Sequence, residues 1–548
     1  MMLKPGKYLL ASLLVLVCMT GAEAQPAAPV LEPANTPGAY LNRILDNLQK
    51  ARLERELKKE IESHTQSEES ATPPAIEAKV PETRVTLQAV EFSKSMVLTP
   101  EKLKEMAAGY INREIGIAEL KEFIGGINAW YRRHGHITAL ATLPPQEIKD
   151  GILKVLLIEG TIGNIKLEGN VNTRSGYIRS RIEVPPDELL DIRAVDRDLV
   201  RFNGTNDIKV RIKLQAGEKP GTTDCLMLVY EPEDKTGNLF IDTAGNRNTG
   251  ETRVGMTVSD ASLTGNRDAL AVTALMTNRS KAAMLGYNFP IGRRGSKVSL
   301  YQSANNLQFD SAGLEIRGES SSTGFSITRP MQVSAGFKSE LIFDAHKQDS
   351  KNRALGMTFV DDSENRFSAG SSFLRLSQRS ALYCRPTVVY CDYSGLGEDK
   401  IIRKYQLDAM WQKILPGNQQ WNCRLVGQKA CDEFIPSADQ FFIGGMYSVR
   451  GYDESVIGGD SGINLKLDYF FPIKGYKMTK MFAFYDWGKI YGKSFATDRM
   501  IHSLGFGFSH SFANDSQLVL SVGYPLVKKL NDQEMDGQKI ELSMNVSL

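Results

Sequence analysis

Two short strings in the C-terminal half bring charged, aromatic and glycine residues together. Ser448 to Tyr452 reads Ser-Val-Arg-Gly-Tyr, and Phe484 to Gly488 reads Phe-Tyr-Asp-Trp-Gly. An arginine stays charged at any physiological pH, and confining that charge without a carboxylate partner is costly. If the first string folds into a confined interior, Asp486 is the predicted partner of Arg450. The chemistry is ion pairing rather than catalysis, and the alternative is a surface arginine in a turn.

The cysteines offer a second kind of chemistry. Cys384 and Cys391 lie close in sequence, as do Cys423 and Cys431, so in an exported protein they predict two local disulfides. A metal site is the competing interpretation, but no histidine follows at ligand spacing, so none is predicted. Cys225 is left over and is predicted to be a buried apolar residue in a strand.

The N-terminus predicts export. Two lysines precede an apolar stretch, Tyr8 to Met19, and Ala22 to Ala24 form a small-x-small cleavage site, so residues 1–24 are predicted to be a signal peptide. Lipoprotein processing at Cys18 is the alternative. The net charge of +2 is nearly balanced, so the composition does not indicate a nucleic-acid-binding protein. No run of about 18 apolar residues follows the signal, so a membrane protein with this sequence would cross as a closed barrel.

Residues 25–63 are predicted to form an N-terminal segment with an amphipathic helix over 39–63. Apolar residues such as Leu41 and Ile44 recur at helical spacing, and most of the others are charged. The pattern fits a solvated helix packed on a neighbour and a polar helix inside a water-filled pore equally well. Residues 64–84, rich in Ser, Glu, Thr and Pro, are predicted to be a flexible linker.

Two small α+β units are predicted to follow in tandem, over residues 85–160 and 161–235. The first reads strand, helix, helix, strand, strand. The second reads strand, two helical stretches and two strands. In its fourth element, apolar residues alternate with Lys209, Arg211 and Lys213, so one strand face meets a core and the other meets water.

From residue 236 to 548 the sequence consists of about sixteen segments, each near ten residues long, in which apolar and polar residues alternate. This pattern predicts a 16-stranded transmembrane β-barrel. The same alternation predicts that Asp486 points into the lumen while Tyr485 and Trp487 face outward as girdle residues. A soluble β-sandwich would also alternate, but the signal peptide and even spacing favour the barrel. A barrel of this size leaves an aqueous lumen unless something plugs it.

The two strings described first resemble the signature of the outer-membrane assembly and secretion barrels. In that superfamily the loop arginine pairs with the strand aspartate inside the barrel, so the resemblance implies the same pairing here. The residues that carry it are Val449, Arg450, Gly451, Tyr452, Phe484, Asp486 and Gly488.

The N-terminal half resembles one family within this superfamily, the two-partner secretion transporters (TpsB type), which export haemolysins and filamentous haemagglutinins. Residues 85–160 resemble their first polypeptide-transport-associated (POTRA) domain, and 161–235 their second. The resemblance spans essentially the whole mature chain, although His136 replaces a usual Tyr and Leu548 a frequent terminal Phe. The first domain carries the match at Tyr131, Gly135, Pro145, Gln146, Gly151, Glu159 and Gly160. The second carries it at Gly217, Gly221 and Asp224.

The resemblance implies a transporter in the Gram-negative outer membrane, with its POTRA domains in the periplasm and the N-terminal helix as a plug. Such a protein recognises an unfolded exoprotein through its POTRA domains, exports it through the barrel, and in some cases activates it. The implied partners are a large β-helical TpsA-like exoprotein, outer-membrane lipid and lipopolysaccharide, and the periplasmic chaperones and barrel-assembly machinery that insert the transporter. A monomer without enzyme activity, cofactor, metal or nucleic acid is implied.

Two other functions stay open at this point. An assembly factor that inserts other outer-membrane proteins shares the loop and strand motifs, but it usually carries more POTRA domains and lacks the N-terminal helix. A passive porin or receptor would leave the tandem α+β units without a purpose. If Arg450 and Asp486 act as one unit, a charge-swapped double variant is predicted to recover the secretion that either single variant loses.

Overall fold

The computed structural model describes residues 36–66, 84–219, 221–311, 314–395, 398–433, 435–492, 499–530, 533–535 and 537–548. The predicted signal peptide and nearly all of the predicted linker lie outside these residues. The N-terminal helix, α1, spans Pro37–Gln66 and is longer at both ends than the sequence predicts. Of the helices that the structure describes, none is long and apolar enough to cross a bilayer.

The first α+β unit, called domain 1 below, packs two helices against a three-stranded sheet. The sheet order is β2-β5-β4, with β2 parallel and β4 antiparallel to the central β5, and the split first strand lets β1 pair separately with β3. Its elements are β1 Arg84–Leu87, β2 Ala89–Phe92, α2 Pro100–Ala107, β3 Arg113–Gly116, α3 Ile117–Arg133, β4 Ala139–Thr142 and β5 Ile152–Glu159.

Domain 2 repeats the arrangement with the sheet order β6-β8-β7. Cys225, in the central strand, is 1% exposed and packs in the core, and burial raises the pKa of its thiol to about 11. The predicted buried position of Cys225 is therefore confirmed. The elements are β6 Thr161–Glu168, α4 Ser175–Arg179, α5 Ile192–Thr205, β7 Lys209–Ala216 and β8 Thr222–Tyr230.

The remaining chain closes into a barrel of sixteen antiparallel strands, as predicted. Its first strand begins at Lys235 and pairs with the last strand, which closes the wall. The wall strands are β9 Lys235–Asp242, β10 Arg253–Asp260, β11 Ala269–Met276, β12 Ser280–Ile291, β13 Ser296–Ser311, β14 Leu314–Ser334, β15 Phe337–Ala354, β16 Met357–Ser377, β17 Ser380–Gly395, β18 Glu398–Ile414, β19 Gln420–Ala430, β22 Ser461–Ile473, β23 Tyr476–Tyr491, β24 Arg499–Ser511, β25 Gln517–Pro525 and β28 Lys539–Ser547. Two short pairs lie outside the wall, β20 Phe441–Ile443 with β21 Ile457–Gly459 and β26 Lys529–Leu530 with β27 Gln533–Glu534.

Alternation along each wall strand decides which side chains face outward. Leu504 and Phe506 are about half exposed on the outer face of β24, and Ser503, the residue before Leu504, is fully buried on the inner face. Several strands are much longer than the ten residues predicted, since β14 and β16 each have 21. At about 3.3 Å per residue such strands exceed the roughly 30 Å hydrocarbon core even when tilted, so their polar ends lie beyond it.

The strand lengths overturn the predicted disulfides, because all four cysteines are free. Cys384 and Cys391 lie seven residues apart in the single strand β17, so their side chains point to opposite faces at a separation of about 23 Å. Cys423 lies in β19 and Cys431 just beyond its end, about 26 Å further along. A disulfide requires Cα atoms within roughly 7 Å, so neither local pair can form.

Domain 2 sits on one rim of the barrel through charged and backbone contacts. Arg267, in the turn between β10 and β11, pairs with Asp207 of domain 2 and with Asp234. In the same turn, the carbonyl oxygen of Gly265 accepts a 2.8 Å hydrogen bond from the Arg174 backbone N–H. This contact places domain 2 at the end of the barrel called the near end below.

Glu231 orders the loop of domain 2 that touches this turn. Its carboxylate accepts hydrogen bonds from the backbone N–H groups of Val171, Asn172 and Thr173 at 2.9–3.1 Å. Burial alone would raise the pKa of Glu231, but these hydrogen bonds outweigh it and lower the pKa. The charged carboxylate therefore holds a loop that also contacts the barrel.

Candidate functional site: a plugged lumen and its ion-pair anchor

The long connection between β19 and β22, residues 431–460, folds back into the lumen. Its two short strands β20 and β21 pair with each other and pack on β22 and β23 of the wall. Within it lies the Val449–Tyr452 string, and all four of these residues are buried. The loop therefore brings the first predicted string against the inner face of the strand that carries the second.

Arg450 is held by two carboxylates of the wall. Its backbone N–H and its Nε donate to Asp486 Oδ2 at 3.0 and 2.7 Å, and its Nη2 donates to Asp486 Oδ1 at 2.8 Å. The same Nη2 donates to Asp468 Oδ1 at 2.5 Å. The guanidinium also lies over the ring of Phe484, 3.7 Å from its centroid. Asp486 is fully buried, so its charge needs the arginine, and Lys466, which faces both aspartates, balances the second carboxylate inside the lumen.

Each glycine of the two strings leaves room for a neighbour. A Cβ on Gly488 would lie 3.1 Å from Val449 Cγ2, so the missing side chain lets Val449 pack on the wall. Gly451 adopts a φ of +88°, which favours glycine. It also meets Gly523 of β25 backbone to backbone, because a Cβ on Gly523 would lie 2.5 Å from Gly451 N. The loop thus needs glycine on both sides of its closest approach to the wall.

Tyr452 fixes the tip of the loop. Its side chain is 2% exposed in an apolar cluster with Val449 and Ile501. The hydroxyl donates to the carbonyl oxygen of His502 at 2.9 Å and accepts from the backbone N–H of Val527 at 3.0 Å. Tyr452 therefore ties the loop to β24 and to the connection that follows β25.

A second anchor lies nearer the start of the loop, at Asp439. Its carboxylate accepts from Lys404 Nζ at 2.7 Å and pairs with Arg366, and its carbonyl oxygen accepts from Gln428 Nε2 at 2.7 Å. Asp439, Glu364 and Cys391 are also the one group among the described residues with spacing suited to a metal ion. Because two cations already lie on the Asp439 carboxylate, the arrangement favours an ion-pair network over a metal site.

Helix α1 lies inside the lumen, which decides between the two interpretations of its pattern. Tyr40 and Ile44 are 1% exposed and pack in an apolar cluster with Phe240, Leu307 and other wall residues. Ser280, which bonds the Tyr40 hydroxyl at 2.5 Å, begins β12 at the end of the barrel away from domain 2, called the far end below. The N-terminal turns of α1 are therefore seated at the far end.

Towards its C-terminus α1 is held more lightly. Leu57 packs on Ala381 and Met410, which lie at the end of the barrel that carries domain 2. Midway, Arg424 of β19 donates to the carbonyl oxygen of Lys50 at 3.4 Å and lies 3.6 Å from Glu54. Apolar residues of the helix thus meet apolar wall residues, and charged residues meet polar ones. Over its whole length, however, the apolar and polar residues of α1 are not separated onto two faces, so the prediction that the helix is amphipathic is wrong.

The loop and the helix also contact each other. Asn42 Nδ2 donates to the carbonyl oxygen of Ala438 at 2.8 Å, and Arg43 Nη1 donates to Ser455 Oγ at 3.1 Å. Since Ala438 precedes Asp439, the second anchor of the loop also supports the plug. Beside the helix the lumen keeps a cavity of about 900 Å³, lined mainly by polar residues.

The motif residues of domain 1 lie in its turns and core. Tyr131 is fully buried, and its hydroxyl donates to Glu159 Oε1 at 2.5 Å. Burial makes the larger contribution and this hydrogen bond the next, and both raise the pKa of the Tyr131 hydroxyl. The Gln146 side chain pairs with both backbone groups of Lys154 at 2.7 and 2.8 Å. Gly151 has a φ of +70°. Pro145 makes no contact that explains its place in the motif.

The remaining motif residues shape the junction of the two domains. The Gly135 carbonyl oxygen accepts from the Ile192 N–H of domain 2, and Gly160 is joined to Thr138. The first strand of domain 2 donates two backbone hydrogen bonds to this motif. The Thr161 N–H donates to the carbonyl oxygen of Gly221, and the Asn164 N–H donates to Asp224 Oδ1 at 2.8 Å. The Gly217 N–H donates to the carbonyl oxygen of Thr222 and closes the turn between β7 and β8. These residues build the fold and the domain junction rather than a ligand site.

Two residues of the anchor escaped sequence reasoning. Asp468 lies in a cleanly alternating strand on the inward face, which was a usable signal, but its meeting with Arg450 depends on where the loop folds. Asp439 lies in a part of the loop with no regular pattern, and nothing in the sequence singles it out.

Comparison with known proteins gives two family matches. The family model described as haemolysin secretion/activation protein ShlB/FhaC/HecB matches residues 230–512, more than half of the chain. The model described as POTRA domain, ShlB-type, matches residues 85–160.

Two relatives and one solved structure extend this comparison. The heme/hemopexin transporter protein HuxB of Haemophilus influenzae (strain 86-028NP) is 24% identical over 493 residues, 84% of this chain and 86% of that protein. The outer membrane transporter CdiB of Dickeya dadantii (strain 3937) is 23% identical over 398 residues, 69% of this chain and 70% of that protein. The solved structure of CdiB from Escherichia coli aligns with a TM-score of 0.68 at 17% identity, covering 95% of this chain and all of that one.

Proposed function

The chain belongs to the haemolysin secretion/activation protein family of ShlB, FhaC and HecB, and from this premise we propose that it exports an extended partner polypeptide through the lumen that α1 fills. It is an outer-membrane transporter whose POTRA domains lie in the periplasm, and it works with a secreted partner protein. The matched POTRA domain is domain 1, and we infer that domain 2, which repeats its sheet arrangement, is the second. The near end of the barrel is thus periplasmic and the far end extracellular. The observation that carries the proposal is a helix seated in the lumen of a closed sixteen-stranded wall.

The lumen can open without breaking the wall. Backbone hydrogen bonds between neighbouring strands close the barrel, whereas α1 is held only by noncovalent contacts to side chains and a few backbone groups. A sixteen-stranded barrel is wide enough to leave an aqueous channel when it is empty. Removing the helix would therefore leave the lumen to the inward-folded loop alone, and the polar cavity beside α1 would widen into a path for an extended chain.

The partner would first dock on domain 2. Strand β7 is an edge strand of the sheet β6-β8-β7, so its outer backbone groups are available to an added strand. The exposed side chains of Lys209, Arg211 and Lys213 line it, and Arg211 lies over the ring of Tyr230. These cations favour a partner segment with acidic residues beside the pairing strand.

The test is a disulfide that fixes α1 to the wall. A Cβ placed on Gly38 would lie 2.8 Å from Ser350 Oγ, so Gly38→Cys with Ser350→Cys brings two thiols into bonding range. The background is Cys431→Ser, which removes the exposed native cysteine. We expect the oxidised double variant to lose secretion of the partner and channel conductance in planar bilayers, and dithiothreitol to restore both.

The matched control keeps the Ser350→Cys change but pairs it with the wall. Ser320 Oγ lies 2.9 Å from Ser350 Oγ on the adjacent strand, so Ser320→Cys with Ser350→Cys forms a disulfide that leaves α1 free. This variant should secrete normally when oxidised. Undiminished secretion by the oxidised plug-locked variant would refute the lumen as the export path. Lost secretion in both oxidised variants would show that a disulfide at this place harms the barrel itself.

A further inference from the structure

A second cavity lies outside the lumen, where domain 2 meets the periplasmic rim of the barrel. Its volume is about 570 Å³, within the roughly 300–1,000 Å³ typical of small-molecule sites. Domain 2 provides one wall, and the turn before β11 and the end of β12 provide the other. The residues that line it and matter below are Tyr177, Arg181, Thr264, Asp268, Tyr287 and Phe289.

Arg181 brings an uncompensated positive charge to this cavity. Its guanidinium lies 3.7 Å from the centroid of the Tyr177 ring and donates to the carbonyl oxygens of Tyr177 and Gly292. Among the described residues no carboxylate forms an ion pair with it, and its buried Nε has no hydrogen-bond partner. Burial lowers the pKa of Arg181, and the positive charge of Arg293 adds to this effect. An anion would satisfy the open N–H group and the charge together.

The acidic residue of the cavity does not supply that anion. Asp268 is 1% exposed, and its oxygens accept hydrogen bonds from the Tyr287 hydroxyl at 2.7 Å and from the backbone and side chain of Thr264 at 2.9 and 2.8 Å. These contacts hold Tyr287 and the turn in place. Asp268 therefore shapes the wall of the cavity and leaves Arg181 unpaired.

The cavity lies at the level where lipid headgroups meet the barrel. Tyr287 and Phe289 share the outer face of β12, with ring centroids 5.6 Å apart, close to its periplasmic end. Beyond them Ile291 is 40% exposed, and Leu300, opposite Tyr287, is 48% exposed. Aromatic residues at a strand end beside exposed aliphatic ones mark the interfacial belt of a membrane barrel.

We propose that this cavity binds a phospholipid of the periplasmic leaflet, with its phosphate on Arg181 and its glycerol and first acyl carbons against Tyr287 and Phe289. The chemistry recognised is a phosphodiester next to an apolar chain. A lipid bound there would touch domain 2 and the barrel at once and would stabilise their contact. The site is separate from the lumen, so it stands or falls independently of the proposed export path.

Native mass spectrometry of the full-length protein in detergent, titrated with dioleoyl phosphatidylglycerol, tests the site. We expect one lipid to bind more tightly than the others, and Arg181→Gln to weaken that binding at least about tenfold because a charge-assisted contact is lost. Arg197→Gln is the matched control, since it removes an exposed arginine of the same domain that does not line the cavity. Equal lipid binding by these two variants would overturn the proposal.

Two further arms separate the lipid from free phosphate and from misfolding. Phe289→Ala removes an apolar wall and should weaken lipid binding several-fold without touching Arg181. If inorganic phosphate displaces the lipid at a concentration similar to that of the lipid, the site recognises phosphate alone and the lipid assignment fails. Heat-modifiable mobility on gels reports whether each barrel is folded. If Arg181→Gln does not fold, Phe289→Ala decides the question, and unchanged lipid binding by that variant would overturn the proposal.

Discussion

The buried network at Arg450 predicts unequal effects when either of its two carboxylates is removed. Asp486 accepts three hydrogen bonds from Arg450, whereas Asp468 accepts one. Breaking a buried ion pair costs about 3–5 kcal/mol because the surviving charge stays buried. A single hydrogen bond to a charged group contributes about 1.5–3 kcal/mol. We therefore expect Asp486→Asn to destabilise the seated loop by about 3–5 kcal/mol and Asp468→Asn by about 1.5–3 kcal/mol.

The same geometry changes the outcome expected of a charge swap. In Arg450→Asp with Asp486→Arg, the new aspartate would face Asp468, and two like charges in a buried site repel. The swap alone should therefore fail to recover secretion, in contrast to the prediction from the sequence, which considered only one carboxylate. Adding Asp468→Asn to the swap should improve recovery.

Hydrogen exchange of the amides over residues 448–452, measured by mass spectrometry, gives the free energy of opening of the loop. Secretion of the partner by the same variants gives the functional outcome. Leu504→Ala, on the outer face of the barrel, is a control that should leave exchange in the loop unchanged. The reasoning fails if Asp468→Asn costs as much as Asp486→Asn, or if the swap alone secretes as well as the triple variant.

Gly523, Glu231 and the cysteines each allow a separate test. Gly523→Ala should destabilise the loop by about 1–3 kcal/mol in the same exchange assay, because its Cβ meets the Gly451 backbone, whereas Gly286→Ala, whose Cβ meets nothing within 4 Å, should be neutral. The pKa of Glu231 is lowered in the folded protein, so its stabilisation is present above the unfolded value near 4.3 and is lost as pH falls through the lower folded value. Exchange protection of residues 171–173 should therefore drop in the parent as pH falls below the unfolded value, and much less in Glu231→Gln. Denatured, unreduced mature protein should react with an alkylating reagent at all five cysteines. A smaller number of modified cysteines in the mass spectrum would show that a disulfide is present and would contradict the structure.

The barrel could be predicted because its signal is local. Alternation in segments such as 504–508 needs no knowledge of the partner strand, and one face must meet lipid whichever strand lies alongside. That Arg450 meets a carboxylate could also be predicted, since a buried arginine demands one, and the resemblance to the barrel superfamily pointed to Asp486. The residues of each strand thus carried the barrel prediction, whereas the choice of Asp486 rested on the resemblance.

What escaped prediction depended on register and strand length. Asp468 reaches Arg450 because Lys466 pairs with Asp486 across β22 and β23, and that register is not written in either strand alone. The cysteine disulfides were predicted from closeness in sequence alone, whereas the extended strand β17 runs through both Cys384 and Cys391 and keeps them apart. The place of α1 was open because the lumen presents polar and apolar patches, so a helix of mixed charged and apolar residues fits it as well as it fits a domain surface.

The seating of α1 has a mechanical consequence. Its most deeply buried residues, Tyr40, Leu41 and Ile44, lie at the extracellular end, while the chain leaves the helix at Gln66 on the periplasmic side. A pull from the periplasm reaches Tyr40 only through about 40 Å of helix, at 1.5 Å per residue. Such a pull loads the helical hydrogen bonds and the apolar seat in series, so whichever resists less gives way first. If the helical hydrogen bonds give way first, the helix would unwind from Gln66 while its tip is still docked, and a pull that ends early would be reversed as the loosened turns wind back onto the seated ones.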